Sequence, residues 1–298
     1  MAATITAKDV AELRARTGAG MMDCKKALEE ANGDMEAAAA ILRKKGIAKA
    51  DKRADRAASE GQIVTWTSPD GTVAAMIEVN CETDFVGRND EFVALAKSLV
   101  AQVAQDAKVD GLVAVGAEGA YLETPWHADA AQTVGAIVKA ASAKTGEKVE
   151  LRRIARFATA GVVGSYLHFN GKAGVIAEVA GGKGEQAAQL AKSVAEHVAA
   201  GVPSVAVAVD KDGVDPAFIA KEREIFVGQA VESGKPQAIA EKMVEGRIQK
   251  LLSEITLLGQ PWVRDDKQTI GDLVKATAKE SGQPLAVKRF VRFKMGEA

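Results

Sequence analysis

The 298-residue sequence predicts an α+β fold: an N-terminal three-helix domain, then two repeated β-hairpin–helix subdomains with an inserted antiparallel helical hairpin. Three observations predict it. Residues 5–46 carry short helical stretches punctuated by Thr17-Gly18-Ala19-Gly20 and Asn32-Gly33. Gly61-Gln-Ile-Val-Thr-Trp66 returns at an offset of 100 as Gly161-Val-Val-Gly-Ser-Tyr166. After Asp215-Pro216, apolar residues recur at helical spacing in two stretches joined by a short Ser233-Gly-Lys-Pro236 connection.

Each element follows from local chemistry. Thr6 with Asp9 forms a capping-box pattern before Val10 and Leu13. A second helix runs from about Met22 to Ala31, and Asp34 caps a third, Ala-rich helix that Gly46 is expected to stop. Val10, Leu13, Leu28, Ile41 and Leu42 make a small core, marginal by itself. Residues 47–60 read as a basic linker or short exposed helix with Lys49, Lys52, Arg53 and Arg56. Asp70-Gly71 and Asn170-Gly171 are hairpin turns, expected to be type I′. Glu78-Val79 is echoed by Glu178-Val179. The helix after them presents Phe92, Leu95, Ala96, Leu99 and Val103, and its echo presents Ala187, Leu190, Ala191, Val194 and Val198. That helix offset is 95 rather than 100, so the first copy holds five extra residues between its second strand and its helix, an insertion that coincides with the Thr83–Val86 segment. The second copy crosses the same gap with Gly181-Gly182-Lys183-Gly184. Strands follow at 149–157 and 287–293, with Arg and Lys expected on a wet face. Pro216 starts a helix and Pro236 a second one, with Phe218, Ile225, Phe226 and Val231 facing Ile239, Met243, Ile248 and Leu252. The resulting boundaries are 1–46 for the three-helix domain, 47–60 for the linker, 61–145 for one core subdomain, and 146–298 for the other, containing the hairpin 215–255. Residues 110–131 match no recognised pattern.

Composition narrows the function. Thirty-nine basic and 40 acidic residues leave a net charge of −1, which argues against direct nucleic-acid binding. Cys24 and Cys81 are too few for a disulfide framework. No signal pattern opens the sequence, and no apolar run nears the roughly eighteen residues of a membrane span. A cytoplasmic protein without membrane contact is expected. There is no phosphate-loop motif and no nucleophile elbow. His127, His168 and His197 lack metal-ligand spacing, so neither a cofactor nor a metal is expected. His168 and His197 leave an enzyme open. The Gly181–Gly184 turn either cradles an anion or simply joins strand to helix. Met21-Met22 either meet a partner or fill the small core. The most informative segment is Thr83-Asp84-Phe85-Val86: Phe85 either tucks into its own core or waits as a wedge, with Asp84 beside it. Its place in an insertion that the sister copy omits favours the wedge.

Long ordered motifs resemble a known family. They are Glu12-Leu13-Arg14, Thr17 through Leu28, Ala31-Asn-Gly-Asp34, Glu78 through Val86, Gly164-Ser-Tyr166 with His168, Ser233-Gly-Lys-Pro236, Ile239 through Arg247, and Leu258-Gly-Gln-Pro261. Together they are similar to bacterial translation elongation factor Ts, the guanine-nucleotide exchange factor for the GTPase elongation factor Tu. The resemblance implies a UBA-like N-terminal domain docking on the GTPase through Arg14, Met21 and Lys25. It implies that Thr83, Asp84, Phe85 and Val86 dislocate the partner's Mg²⁺, and that His168 contacts another of its domains. The helical hairpin resembles the family's dimerisation module, which implies a homodimer; packing on its own sheet is the alternative. Some members continue into a C-terminal helical module, whereas this sequence stops at Ala298. No enzymatic activity is implied. The rival to exchange is an adaptor whose UBA-like domain binds another protein.

Overall fold

The structure is a computed structural model and describes residues 5–116, 119–232 and 237–297. The helices are α1 (Ala7–Thr17), α2 (Met21–Glu30), α3 (Met35–Asp51), α4 (Asp84–Gly87), α5 (Asp90–Gln105), α6 (Val134–Thr145), α7 (Glu185–Ala200), α8 (Pro216–Glu232), α9 (Gln237–Ile255) and α10 (Ile270–Ser281). The strands are β1 (Glu60–Thr67), β2 (Val73–Cys81), β3 (Gly111–Ala114), β4 (Pro125–Trp126), β5 (Asp129–Thr133), β6 (Val149–Ala158), β7 (Val162–Leu167), β8 (Ala173–Ala180), β9 (Pro261–Trp262), β10 (Asp265–Thr269) and β11 (Ala286–Lys294). One sheet has the order β1-β2-β6-β3 and another β11-β8-β7, while β4-β5 and β9-β10 are two-stranded. The fold is α+β, three helices leading into small sheets. Contacts divide the chain into two compact units, Met1–Val64 with Ile77–Ala155 and Lys294–Ala298, and Thr65–Met76 with Arg156–Phe293.

In the first unit, Thr6 and Asp9 form the expected capping box, and Gly18 closes α1 in the left-handed region. Val10, Leu13, Cys24, Ala27, Leu28, Ala38 and Leu42 are the buried core, with Ile41 at its edge. Cys24 is therefore packed as a small hydrophobe. Gly46 does not stop α3, which continues to Asp51 and so occupies the start of the stretch read as linker. A Cβ at Gly46 would lie 2.8 Å from the Ala143 Cβ on α6. The glycine serves close helix approach, not termination.

The hairpin turns are also corrected. Gly71 and Gly171 adopt φ of 67° and 68°, but Asp70 and Asn170 do not have positive φ. Gly71 N–H donates to Ser68 C=O at 2.9 Å, and Gly171 N–H to His168 C=O at 2.8 Å. These are type I turns followed by a left-handed glycine, not type I′ turns, and Pro69 at the second position suits that geometry. Asp70 accepts from the Ser68 hydroxyl and from Thr72, which pulls its carboxyl down to about 2.

A second repeat escaped the sequence reading. Pro125-Trp126 and Thr133-Val134-Gly135 correspond to Pro261-Trp262 and Thr269-Ile270-Gly271. Both spell a short hairpin feeding a helix capped by the threonine hydroxyl and closed by a left-handed glycine, Gly146 or Gly282. The described residues of 110–131, namely 110–116 and 119–131, thus acquire a structure, including β3 and the start of the β4–β5 hairpin.

The repeat also explains the basic strands. Glu78 is fully buried and takes Arg153 Nε at 2.6 Å. Glu178, also buried, takes Arg289 Nε at 2.6 Å. These arginines are ion-paired to a buried acid rather than simply wet, and removing one partner would strand a charge.

In the second unit, Ile248, Leu252 and Phe226 pack in the helical hairpin as expected. Ala208, Val214, Ala230, Val244, Ile219 and Ile255 complete that cluster, whereas Phe218, Ile225, Val231 and Ile239 are exposed. The predicted turn Ser233–Pro236 lies outside the described residues.

Candidate functional site

The segment after β2 is fastened from several directions. Cys81 is buried, and its Sγ donates to the Thr83 carbonyl at 3.1 Å. The Glu147 carboxylate accepts three hydrogen bonds, from Glu82 N–H at 3.1 Å, Thr83 N–H at 3.0 Å and the Thr83 hydroxyl at 2.6 Å. Glu82 in turn accepts from Lys148 N–H at 2.6 Å and Arg56 Nη1 at 3.3 Å. The Lys148 N–H first, and Arg56 after it, hold the Glu82 carboxyl below the usual range.

Thr83 then caps α4 by accepting from Val86 N–H. On the far side, Gln62 Nε2 donates to the Gly87 carbonyl at 2.7 Å. A Cβ on Gly87 would sit 3.3 Å from Gly61 Cα and 3.4 Å from Cys81 Sγ, so the backbone is seated closely. Asn89 starts α5 by accepting from Glu91 N–H at 2.9 Å. The segment inserted in the first copy is therefore one helical turn with both ends tied. It leaves the Phe85 ring 84% exposed. The alternative in which Phe85 tucks into its own core is overturned. Asp84, half-buried, pairs with Arg88 at 3.2 Å.

The other predicted contacts lie on rigid elements. Arg14 is exposed on α1, and Met21 and Lys25 are exposed one turn apart on α2. Met22 is exposed too, so neither methionine fills the core. Lys25 lies 3.9 Å from Glu29. Arg14, Met21, Lys25 and Thr83–Val86 belong to the first unit, and His168 to the second. His168 sits at the β7–β8 tip, where its Nδ1 is 3.0 Å from the Tyr166 hydroxyl.

Other candidates resolve into structural roles. The Gly181–Gly184 turn is engaged by Gln283, which accepts from Lys183 N–H at 2.8 Å and donates to the Lys183 carbonyl at 3.0 Å. His197 is buried, with Val263 N–H donating to Nδ1 at 3.2 Å and Nε2 2.9 Å from Gln260 Oε1. Burial pushes its pKa down. Its counterpart in the first copy is Gln102, which accepts from His127 N–H at 3.1 Å and donates to the Pro125 carbonyl at 3.0 Å. This pair was missed by the sequence reading, although the 95-residue helix offset connects the two positions. Among the described residues, no group of three or more His, Cys, Asp or Glu could hold a metal ion. No described helix is long and apolar enough to cross a membrane.

These features define an α+β chain with a duplicated scaffold and a single added helical turn that offers an aromatic ring to solvent. Residues 82–297 match the family model described as elongation factor TS. The chain is 48% identical over 297 residues to elongation factor Ts of Halorhodospira halophila, covering 99% of this chain and 93% of that protein. It is 45% identical to that of Nitratidesulfovibrio vulgaris, covering 98% and 96%, and 44% identical to that of a Nostoc species, covering 99% and 93%. The chain belongs to the elongation factor Ts family, and its role is that of a translation elongation factor.

Proposed function

We propose that this chain is a cytoplasmic guanine-nucleotide exchange factor for elongation factor Tu, acting by contact and not as an enzyme. The observation that carries the reading is Phe85, 84% exposed on a helical turn whose backbone is tied at both ends. An exposed ring on a mobile loop would lose much of its binding free energy to ordering; a braced ring does not. Phe85 acts as a wedge between partner side chains next to the Mg²⁺ site. Thr83, Asp84 and Val86 support the rearranged state. Once Mg²⁺ coordination is lost, the diphosphate charge is poorly neutralised and GDP leaves faster. Arg14, Met21 and Lys25 hold the GTPase domain, and His168 contacts a second domain. The exposed Phe218, Ile225, Val231 and Ile239 of the helical hairpin form a homodimer surface. The test is release of fluorescent GDP from the GTPase with Phe85→Ala and Asp84→Ala. Both should slow release; folded variants that match wild type would remove the wedge assignment.

A further inference from the structure

We infer that Phe169 is a second aromatic anchor for the GTPase, one that sets affinity rather than displacing the metal; this rests on the exchange-factor reading above. Phe169 is 92% exposed, more than any other large hydrophobic side chain among the described residues. Its backbone is held at the tip by hydrogen bonds on both sides. The β7–β8 ladder pairs every position from Val162 with Val179 to Leu167 with Gly174. Beyond it, His168 N–H donates to the Ala173 carbonyl at 2.8 Å, and Lys172 N–H to Asn170 Oδ1 at 3.0 Å.

The ring is also braced. It lies against the His168 imidazole, with centroids 4.5 Å apart and planes at 50°. The Tyr166 hydroxyl, 3.0 Å from His168 Nδ1, steadies the imidazole. Part of the ordering cost of an aromatic anchor is thus met before binding.

The sister hairpin shows that the fold does not ask for a phenylalanine. There the turn reads Ser68-Pro69-Asp70-Gly71, with the same hydrogen bond across it. Proline at this position is what the turn itself favours. His168-Phe169 in place of Ser68-Pro69 trades turn chemistry for an aromatic pair.

The shape of the tip selects the occupant. One ring on a convex tip, with Asn170 beside it, is a knob that needs an apolar pocket with a polar rim. Two copies meeting tip to tip would bury one ring each, far short of the roughly 1,000 Å² of a stable interface. The neighbouring residue, His168, is the one proposed to face the GTPase, so the same partner supplies the pocket.

The experiment titrates the full chain against the GTPase loaded with fluorescent GDP. For Phe169→Ala, the half-saturating concentration should rise about tenfold or more, with the maximal release rate and the thermal midpoint unchanged. Phe169→Leu should recover part of the affinity. Phe85→Ala should instead lower the maximal rate. The inference is overturned if Phe169→Ala half-saturates within about twofold of wild type. It is also overturned if that variant loses self-association while binding the GTPase normally. If the wild-type chain does not accelerate GDP release at all, the exchange reading fails, and this inference with it.

Discussion

His197 and Gln102 hold equivalent stations in the two copies, yet only the histidine titrates. Each accepts a backbone N–H from the residue after the tryptophan of a Pro-Trp hairpin, Val263 or His127. Protonating Nδ1 would turn the acceptor of Val263 N–H into a second donor, in a buried place. The folded-state pKa lies below the ordinary value near 6.5. Above that value the ring is neutral whether folded or unfolded, and stability is full. As pH falls below about 6.5, the unfolded chain takes the proton first, and stability is lost until the folded value is passed. A glutamine can reproduce both hydrogen bonds without titrating. His197→Gln is therefore expected to flatten the loss of thermal midpoint between pH 7 and the acid range, measured by melting at a series of pH values. An unchanged slope would show that another group carries it.

At the scale of elements, the helical turn α4 works only as well as its supports. Glu147 takes three donors from Glu82 and Thr83 without itself belonging to the exposed segment. Glu147→Ala should reduce GDP release several-fold with Phe85 intact, because each lost hydrogen bond loosens α4 by about 1 kcal/mol. Release equal to wild type would mean the bracing is unnecessary. Helix glycines offer a paired test. Nothing lies within 4 Å of a Cβ placed on Gly246, so Gly246→Ala should stabilise the chain by up to ~1 kcal/mol. Gly46→Ala gains the same propensity but puts a methyl 2.8 Å from Ala143 Cβ, and is expected to lower the melting temperature. Opposite signs in thermal melts are the expected result.

These elements also show what the sequence disclosed. Thr6 and Asp34 as caps and the five-residue offset were legible because capping residues and periodicity act locally. Gly46 was misread because its reason, Ala143, lies far along the chain. The Pro-Trp hairpins were missed because strands of two to five residues carry no periodicity; only comparing Pro125-Trp126 with Pro261-Trp262 exposes them. The exposure of Phe85 was inferred from an insertion, but its anchoring by Glu147 and Gln62 needed the folded chain.

For the whole molecule, the proposed exchange is a linkage between two ligands of the GTPase. Whatever factor this chain takes from GDP affinity, GDP must take from the chain's affinity. Adding GDP–Mg²⁺ should therefore dissociate the complex, and the two factors, measured by titration in each direction, should agree. Affinity for the GTPase that ignores GDP would contradict exchange. The internal duplication shows one copy with an added helical turn, proposed to be the working element, and the other with only the scaffold.

That asymmetry makes the chain its own template for an antagonist. Gly181-Gly182-Lys183-Gly184 is the short crossing that this scaffold already tolerates. Written in place of the added turn in the first copy, it would leave the proposed contacts of Arg14, Met21, Lys25 and His168 and remove the proposed wedge. Such a chain would be expected to occupy its target while leaving its affinity for the nucleotide unchanged.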